Sequence, residues 1–457
     1  MLDVGCSMFS LFGSGVQCAN RLFRGILLVA LVTGAPLSVR AETFLLSGAT
    51  VHTISGETLS PGQVLIRDGK IAAVAQTVPA SGAASIDLTG QHLYPGIIAL
   101  NTVLGLTEIT GVRATQDTTE VGDDFTPDVE SWIAVNPDSE LIPVTRANGI
   151  TCFEPVPQGH IISGQSALLA VAGWTTEQMT IKKSLALHLF WPVMELDTTP
   201  KEKALDRAKW KSLQDQAKER RARLRATEDF FEEAKAYAKA KEAAAKGQAS
   251  APEKTPAWEA MLRYVRGDRP IMVHADELRQ IRAAIGWADT NHYQIILAGG
   301  RDAWMAADLL AARKIPVVYA HTYTQPVRDT DSYDVHFRAP AVLQRAGIQV
   351  TFSLGSDSFN APLIRNLPYS AAQAVAFGLP EADALKGLTL YPAQIAGVAD
   401  RLGSIEPGKD ATLFAADGDI LDIRSHVKRM WVAGKEVSLE SRHTRLYEKY
   451  KNRPRPQ

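Results

Sequence analysis

Seven short apolar segments, each parted from the next by a helical pattern, narrow the fold of this chain more than any other feature. They fall at residues 96–100, 150–155, 185–189, 270–274, 294–297, 316–320 and 349–354. A short, continuously apolar run is the mark of a strand buried on both faces. Strands that alternate with helices fold as βα units around a parallel sheet, which places the chain in the α/β class. Several of the runs end in a polar residue or lead into a glycine, as in Val273-His274 and Ala298-Gly299. In an α/β barrel such strand ends are where chemistry collects.

Both ends of the chain read differently. From Glu42 to Pro95 short strands are punctuated by turns, and Asp68-Gly69 carries the preference of a two-residue hairpin. Strand patterns return after about residue 400, with Ala433-Gly434 as a second hairpin turn. These end blocks are expected to complete one small β module, because domain termini often lie close together. Between them, the stretch at about 200–255 is rich in Lys, Arg, Glu and Ala and reads as a solvated helical insertion. Residues 438–457 read as a basic, polar tail with little order.

Composition excludes some function classes. A net charge of −1 draws the chain neither to nucleic acid nor to an anionic membrane. No Gly-Lys-Ser/Thr phosphate loop, Cys-rich zinc pattern or basic aromatic patch is present. Arg21 and Arg24 precede an apolar run at 26–37, and Val39-Arg40-Ala41 supplies a cleavage site before Glu42. That order makes residues 1–41 a signal peptide and the mature chain an exported, periplasmic protein. The apolar run falls short of the ~20 residues that span a bilayer. No later segment reaches that length, so no transmembrane domain is expected in the mature chain. Cys6 and Cys18 lie in the expected signal, which leaves Cys152 without an internal disulfide partner.

Three stretches carry a family resemblance. Leu93-Tyr-Pro-Gly-Ile-Ile-Ala-Leu-Asn-Thr-Val lies at the first apolar segment, and Phe352-Ser-Leu-Gly-Ser-Asp357-Ser at the last. Asp400-Arg-Leu-Gly-Ser-Ile-Glu-Pro-Gly-Lys-Asp-Ala-Thr-Leu follows Thr389-Leu-Tyr-Pro-Ala. Together they resemble the amidohydrolase superfamily, particularly its imidazolonepropionase-like members. The resemblance implies a (β/α)8 TIM barrel over 96–399 and a small β-sandwich domain formed from both chain ends, 42–95 plus 400–437. It also implies hydrolysis of a carbon–nitrogen, non-peptide bond in a small-molecule substrate, with water activated by a divalent metal, zinc first.

The implied ligands are two histidines on the first strand, one on the fifth and one on the sixth, with an aspartate on the eighth that moves the proton. Here the pattern is broken. Ala99, Asn101 and Val103 stand at the aspartate and the two histidines of the first strand, and Gly299 or Gly300 at the sixth-strand histidine. His274 and Asp357 are kept. One imidazole and one carboxylate fall short of the three protein ligands of a catalytic zinc. His188 and His321 end other strands and, with His274, are the candidate ligands of a rebuilt metal site; Lys182 and Lys183 are candidates for carboxylation. Asp357 is the candidate catalytic residue, and Asn101, Arg328 and Asn366 are candidates for substrate binding. The expectation divides between a hydrolase with an altered or absent metal site and an inactive barrel that binds a ligand or partner. A homo-oligomer or a related subunit that completes the site is the third possibility.

Overall fold

The computed structural model describes residues 43–454 of the chain. The expected signal, residues 1–41, lies outside the described residues. The described chain opens with β1 (Thr43–Val51), β2 (Leu59–Arg67), β3 (Lys70–Ala75), β4 (Ala84–Asp87) and β5 (His92–Pro95). The middle carries β6 (Ile97–Thr102), β7 (Ile150–Pro155), β8 (Ile162–Gln165), β9 (Leu168–Ala170), β10 (Thr180–Lys182), β11 (Leu187–Phe190), β12 (Ile271–Ala275), β13 (Ile295–Gly299), β14 (Val317–Tyr319) and β15 (Val350–Phe352). The far end adds β16 (Leu413–Ala416), β17 (Val427–Val432) and β18 (Lys435–Glu436).

Both ends of the chain enter one sheet, ordered β18-β17-β16-β5-β1-β2-β3, with β4 beside β1. β5 joins the two halves: it runs parallel to β1 and antiparallel to β16. The hairpin turns form where the sequence places them. Asp68 and Gly69 take φ of 54° and 76°, and Ala433 and Gly434 take 48° and 77°. The two turns also touch, since a Cβ on Gly434 would lie 2.5 Å from the Gly69 Cα. Phe44, Leu46, Ile66, Leu413 and Trp431 fill the core of this sheet.

The middle of the chain is a mixed α/β fold. β6 and β7 pair in parallel, and β11, β12, β13, β14 and β15 form a continuous parallel run. Side chains alternate between two buried faces, as a parallel sheet requires. Met272, Ile296, Ala298 and Val318 pack with Ile98, Leu100 and Cys152 on one face. Val273, Leu297 and Val317 pack on the other against the helix Leu278–Asn291. All seven expected strands are present within a few residues of the sequence positions.

The structure departs from expectation in three places. β8, which ends at Gly164-Gln165 and pairs antiparallel with β11, lies outside the seven expected strands. β9 and β10 were also not anticipated, being too short to show a period. The tail is not disordered along its length: the helix Arg442–Lys451 starts at a capping box of Ser441 and Thr444. Arg445 pairs with Glu140 at 2.9 Å, which ties that helix to the body. The charged insertion forms the helix Leu213–Ala245, followed by Pro256–Val265. Its buried side chains, Thr227, Phe231, Ala234, Tyr237 and Ala238, follow helical spacing along one face.

Candidate active site

A cleft of ≈ 730 Å³ opens at the C-terminal ends of the parallel strands, and its lining includes Asn101, His274, Asp276, His321, Thr324 and Asp357. Arg223 of the long insertion helix also borders it, so the insertion reaches the mouth rather than standing clear in solvent. Beneath the cleft lies a buried polar network whose centre, Glu154, sequence reasoning missed. Glu154, on β7, is fully buried. Its carboxylate accepts the backbone N–H of Asn101 at 3.0 Å and the hydroxyl of Ser166 at 2.6 Å. His188 Nε2 stands 3.5 Å from Glu154 Oε1, the oxygen that accepts from Ser166, and His188 Nδ1 lies 2.9 Å from His274 Nε2. Glu154 sits in a run of apolar residues, where a lone carboxylate has no pattern to mark it; only its burial identifies it.

The register of β11 on β12 places Phe190 opposite His274, and the two rings stack with centroids 4.0 Å apart. Burial, and then the neighbouring His188 ring, push the His274 imidazole well below its ordinary pKa of 6.5. His274 is therefore a neutral ring at neutral pH. Asn101 adopts φ of 55°, a left-handed conformation that Asn tolerates better than most residues. Its backbone is held on both sides, by Glu154 at the N–H and by Ser353 Oγ, which donates to its carbonyl at 3.0 Å. The Asn101 side-chain Oδ1 is buried with no hydrogen-bond partner.

A second cluster borders the same cleft. His321 Nε2 lies 2.7 Å from Asp276 Oδ1, and His321 Nδ1 lies 2.9 Å from Thr324 Oγ. Burial raises the Asp276 carboxyl, but the hydrogen bond and charge of His321 and the backbone and charge of Arg301 outweigh it, and the net shift is below 3.8. Gly299 makes this pair possible. A Cβ at Gly299, which has φ of 88°, would run into the Asp276 carboxylate. A side chain at this end of β13 would therefore displace the Asp276 carboxylate from its place beside His321.

The expected metal site does not assemble. His321 has both ring nitrogens engaged, by Asp276 and Thr324. His188 is fully buried and does not line the cleft, with Nδ1 2.9 Å from His274 Nε2 and Nε2 unpartnered, 3.5 Å from Glu154. Val103, at a first-strand ligand position, is fully buried among apolar side chains. Lys182 donates to the carbonyl of Ala396 at 2.6 Å, and Lys183 lies over the Trp132 ring; neither lines the cleft. Among the described residues, no three His, Cys, Asp or Glu side chains are grouped to hold a metal ion. The donor set does not fit the three-ligand centre of a catalytic zinc.

The substrate-binding candidates separate. Asn101 lines the cleft, whereas Arg328 and Asn366 do not. Arg328 grips Asp302 with two nitrogens, at 2.7 and 2.9 Å, and Asp331 at 3.1 Å, so its guanidinium is committed to joining its own loop to the one that follows β13. Asn366 ends the turn segment Ser358–Asn366 and leads into the helix Leu367–Ala376. Asp357 lines the cleft and caps that segment, accepting the Phe359 N–H at 2.8 Å.

Comparison with known proteins agrees with this architecture. The model of the amidohydrolase family matches residues 181–439. The amidohydrolase tasK of Hapsidospora irregularis is 23% identical over 411 residues, covering 82% of this chain and 39% of that protein. A putative N-acetylgalactosamine-6-phosphate deacetylase of Escherichia coli (strain K12) is 36% identical over 61 residues, 13% of this chain and 34% of that one. The chain thus spans at most about two fifths of the curated relatives it matches. Among solved structures, an amidohydrolase from Thermotoga maritima MSB8 superposes with a TM-score of 0.75 at 28% identity, covering 86% of this chain and 99% of that one. A prolidase complexed with N-methylphosphonate-L-proline shares the fold at 16% identity, with a TM-score of 0.51 and coverage of 86% and 99%. The match of the family model over more than half of the sequence decides the assignment: the chain belongs to the amidohydrolase family.

Proposed function

We propose that this chain is an exported hydrolase that cleaves a non-peptide carbon–nitrogen bond of a small molecule, in the cleft at the strand ends, without the family's histidine-held metal. We read β6 to β15 as one closed (β/α)8 barrel over 96–399, joined where Ser353 on the β15 side donates to the Asn101 carbonyl on β6. The sheet from the two chain ends is read as one layer of the β-sandwich domain over 42–95 plus 400–437. Export rests on the basic, apolar, small order of residues 1–41.

The observation that carries the reading is the convergence of Asn101, His274 and Asp357 from three different strand ends on one cleft. Its volume suits a small molecule. The unpartnered Oδ1 of Asn101 is a ready acceptor for a substrate N–H, and an unmade buried hydrogen bond favours a ligand that makes it. The neutral His274, oriented by His188 and by the Phe190 stack, offers the substrate a hydrogen bond without competing charge. Asp357, fixed by its own cap contact, supplies the carboxylate that takes the proton from the water completing hydrolysis.

The test is a panel of small cyclic and open-chain amides assayed with the metal-depleted mature chain. Asp357→Asn and His274→Ala should each lower kcat/KM by about 100-fold or more while the fold is kept. Full turnover in both variants would overturn the assignment. Tight binding of a panel member with no turnover in the parent protein would favour the alternative of a periplasmic ligand-binding barrel.

A further inference from the structure

We propose that Thr324, His321 and Asp276 form a nucleophile–base–carboxylate triad, and that Thr324 is transiently acylated when the carbon–nitrogen bond breaks. The inference rests on the hydrolase reading above and deepens it.

The geometry fixes the proton positions. A carboxylate only accepts hydrogen bonds, so at 2.7 Å from Asp276 Oδ1 the His321 Nε2 must carry the proton. His321 Nδ1 is then left with its lone pair, and at 2.9 Å the Thr324 hydroxyl must donate to it. That is the arrangement a hydroxyl nucleophile needs: a base in hydrogen-bond contact, itself held in one tautomer by a third group. Thr324, His321 and Asp276 all border the cleft that holds Asn101, His274 and Asp357.

An independent observation points the same way. A side chain at Gly299 would collide with the Asp276 carboxylate. The glycine found where a metal-binding histidine was expected therefore clears the space that Asp276 occupies to hold His321.

In the acylation step the Thr324 Oγ attacks the substrate acyl carbon, and its proton passes to His321 Nδ1. The C–N bond then breaks, and His321 gives that proton to the departing nitrogen. An ester on Thr324 and a free amine result. Water next attacks the ester carbonyl while Asp357 takes its proton. The Thr324 C–O bond breaks, Asp357 returns the proton to Thr324 Oγ, and the acid leaves. Bonds and protons balance with water as the sole co-reactant.

The experiment treats the folded chain with p-nitrophenyl acetate, quenches in acid and maps acetylated residues by mass spectrometry, beside the amide assay. An acetyl group on Thr324 is expected, lost in Thr324→Val, regained in Thr324→Ser, and formed at least about 10-fold more slowly in Asp276→Asn. Thermal melting of each variant separates chemistry from unfolding. An unlabelled Thr324 in the folded parent would overturn the triad, as would amide turnover undiminished in a folded Thr324→Val. In the second case the hydrolase reading survives. Labelling of Thr324 in a chain that cleaves no amide would uphold the triad and overturn the hydrolase reading instead.

Discussion

Asp302 shows how strongly one residue can bind a loop to the site. Its side chain is fully buried, while its partner Arg328 is one-third exposed at 33%. Burial raises the Asp302 carboxyl, but the Arg328 hydrogen bonds and charge outweigh it and hold it below its ordinary 3.8. Arg328→Ala would strand a buried carboxylate and should cost roughly 3 kcal/mol, the low end for a broken buried pair because Arg328 is partly solvated. The pH dependence has a definite sign. A depressed pKa contributes stability that is complete above the unfolded value and is lost as the pH falls through the folded value. Chemical denaturation of the parent should therefore lose stability below about pH 4, with a shallower loss in Asp302→Asn. Equal slopes in the two proteins would exclude Asp302 as the cause. Residues like these also mark where the sequence stops speaking. His274 and Asp357 are legible because strand ends frame them. Thr324 and Asp276 are not, and His321, singled out as a metal ligand, meets Asp276 by a contact across 45 positions that no local pattern encodes.

At the scale of elements, the long insertion helix is the clearest case of a correct local reading with an incomplete tertiary one. Its Lys, Arg, Glu and Ala content suits a helix, and Ser212 caps it by accepting the Asp215 N–H at 3.1 Å. The same content suggests a solvated rod, yet one face is fully engaged. Phe231 packs on Trp287 and Tyr293 with ring centroids 4.8 and 5.3 Å away, and Phe230 stacks on Phe125 at 4.5 Å. Two adjacent phenylalanines are too small a signal to outweigh the charges around them. The contrast gives a paired expectation. Phe231→Ala should destabilise the chain by about 3–5 kcal/mol through the cavity it leaves. Arg225→Ala, on the solvent side of the same helix, should change stability by less than about 0.5 kcal/mol. Thermal or denaturant unfolding measures both. Similar small losses in the two variants would mean that the helix does not stay packed on the body in solution.

At the scale of the whole molecule, the terminal sheet ties the two ends of the described chain into one folding unit. β16 lies against β5, more than 300 positions earlier, with Phe414 opposite Tyr94 and their rings 5.3 Å apart. β6 starts two residues after β5 ends, so the strand that carries Asn101 leads directly out of this sheet. The Phe414 ring in turn sits against Gly149, at the start of the strand that carries Glu154. Any loosening of the terminal sheet thus reaches the network under the cleft through packed side chains. The hairpin turns and strand blocks were legible in the sequence; this mechanical link was not, because it depends on which strands meet. Trp431, buried at 1% exposure between the sheet strands, tests the link. Trp431→Ala should lower stability by about 3–5 kcal/mol. If the ends and the strand-end cleft form one cooperative unit, unfolding of the variant followed by far-ultraviolet circular dichroism should coincide with release of protection at the Glu154 strand in hydrogen exchange. Two separated transitions, with the Glu154 strand surviving the first, would show that the terminal sheet melts alone and that the cleft stands without it.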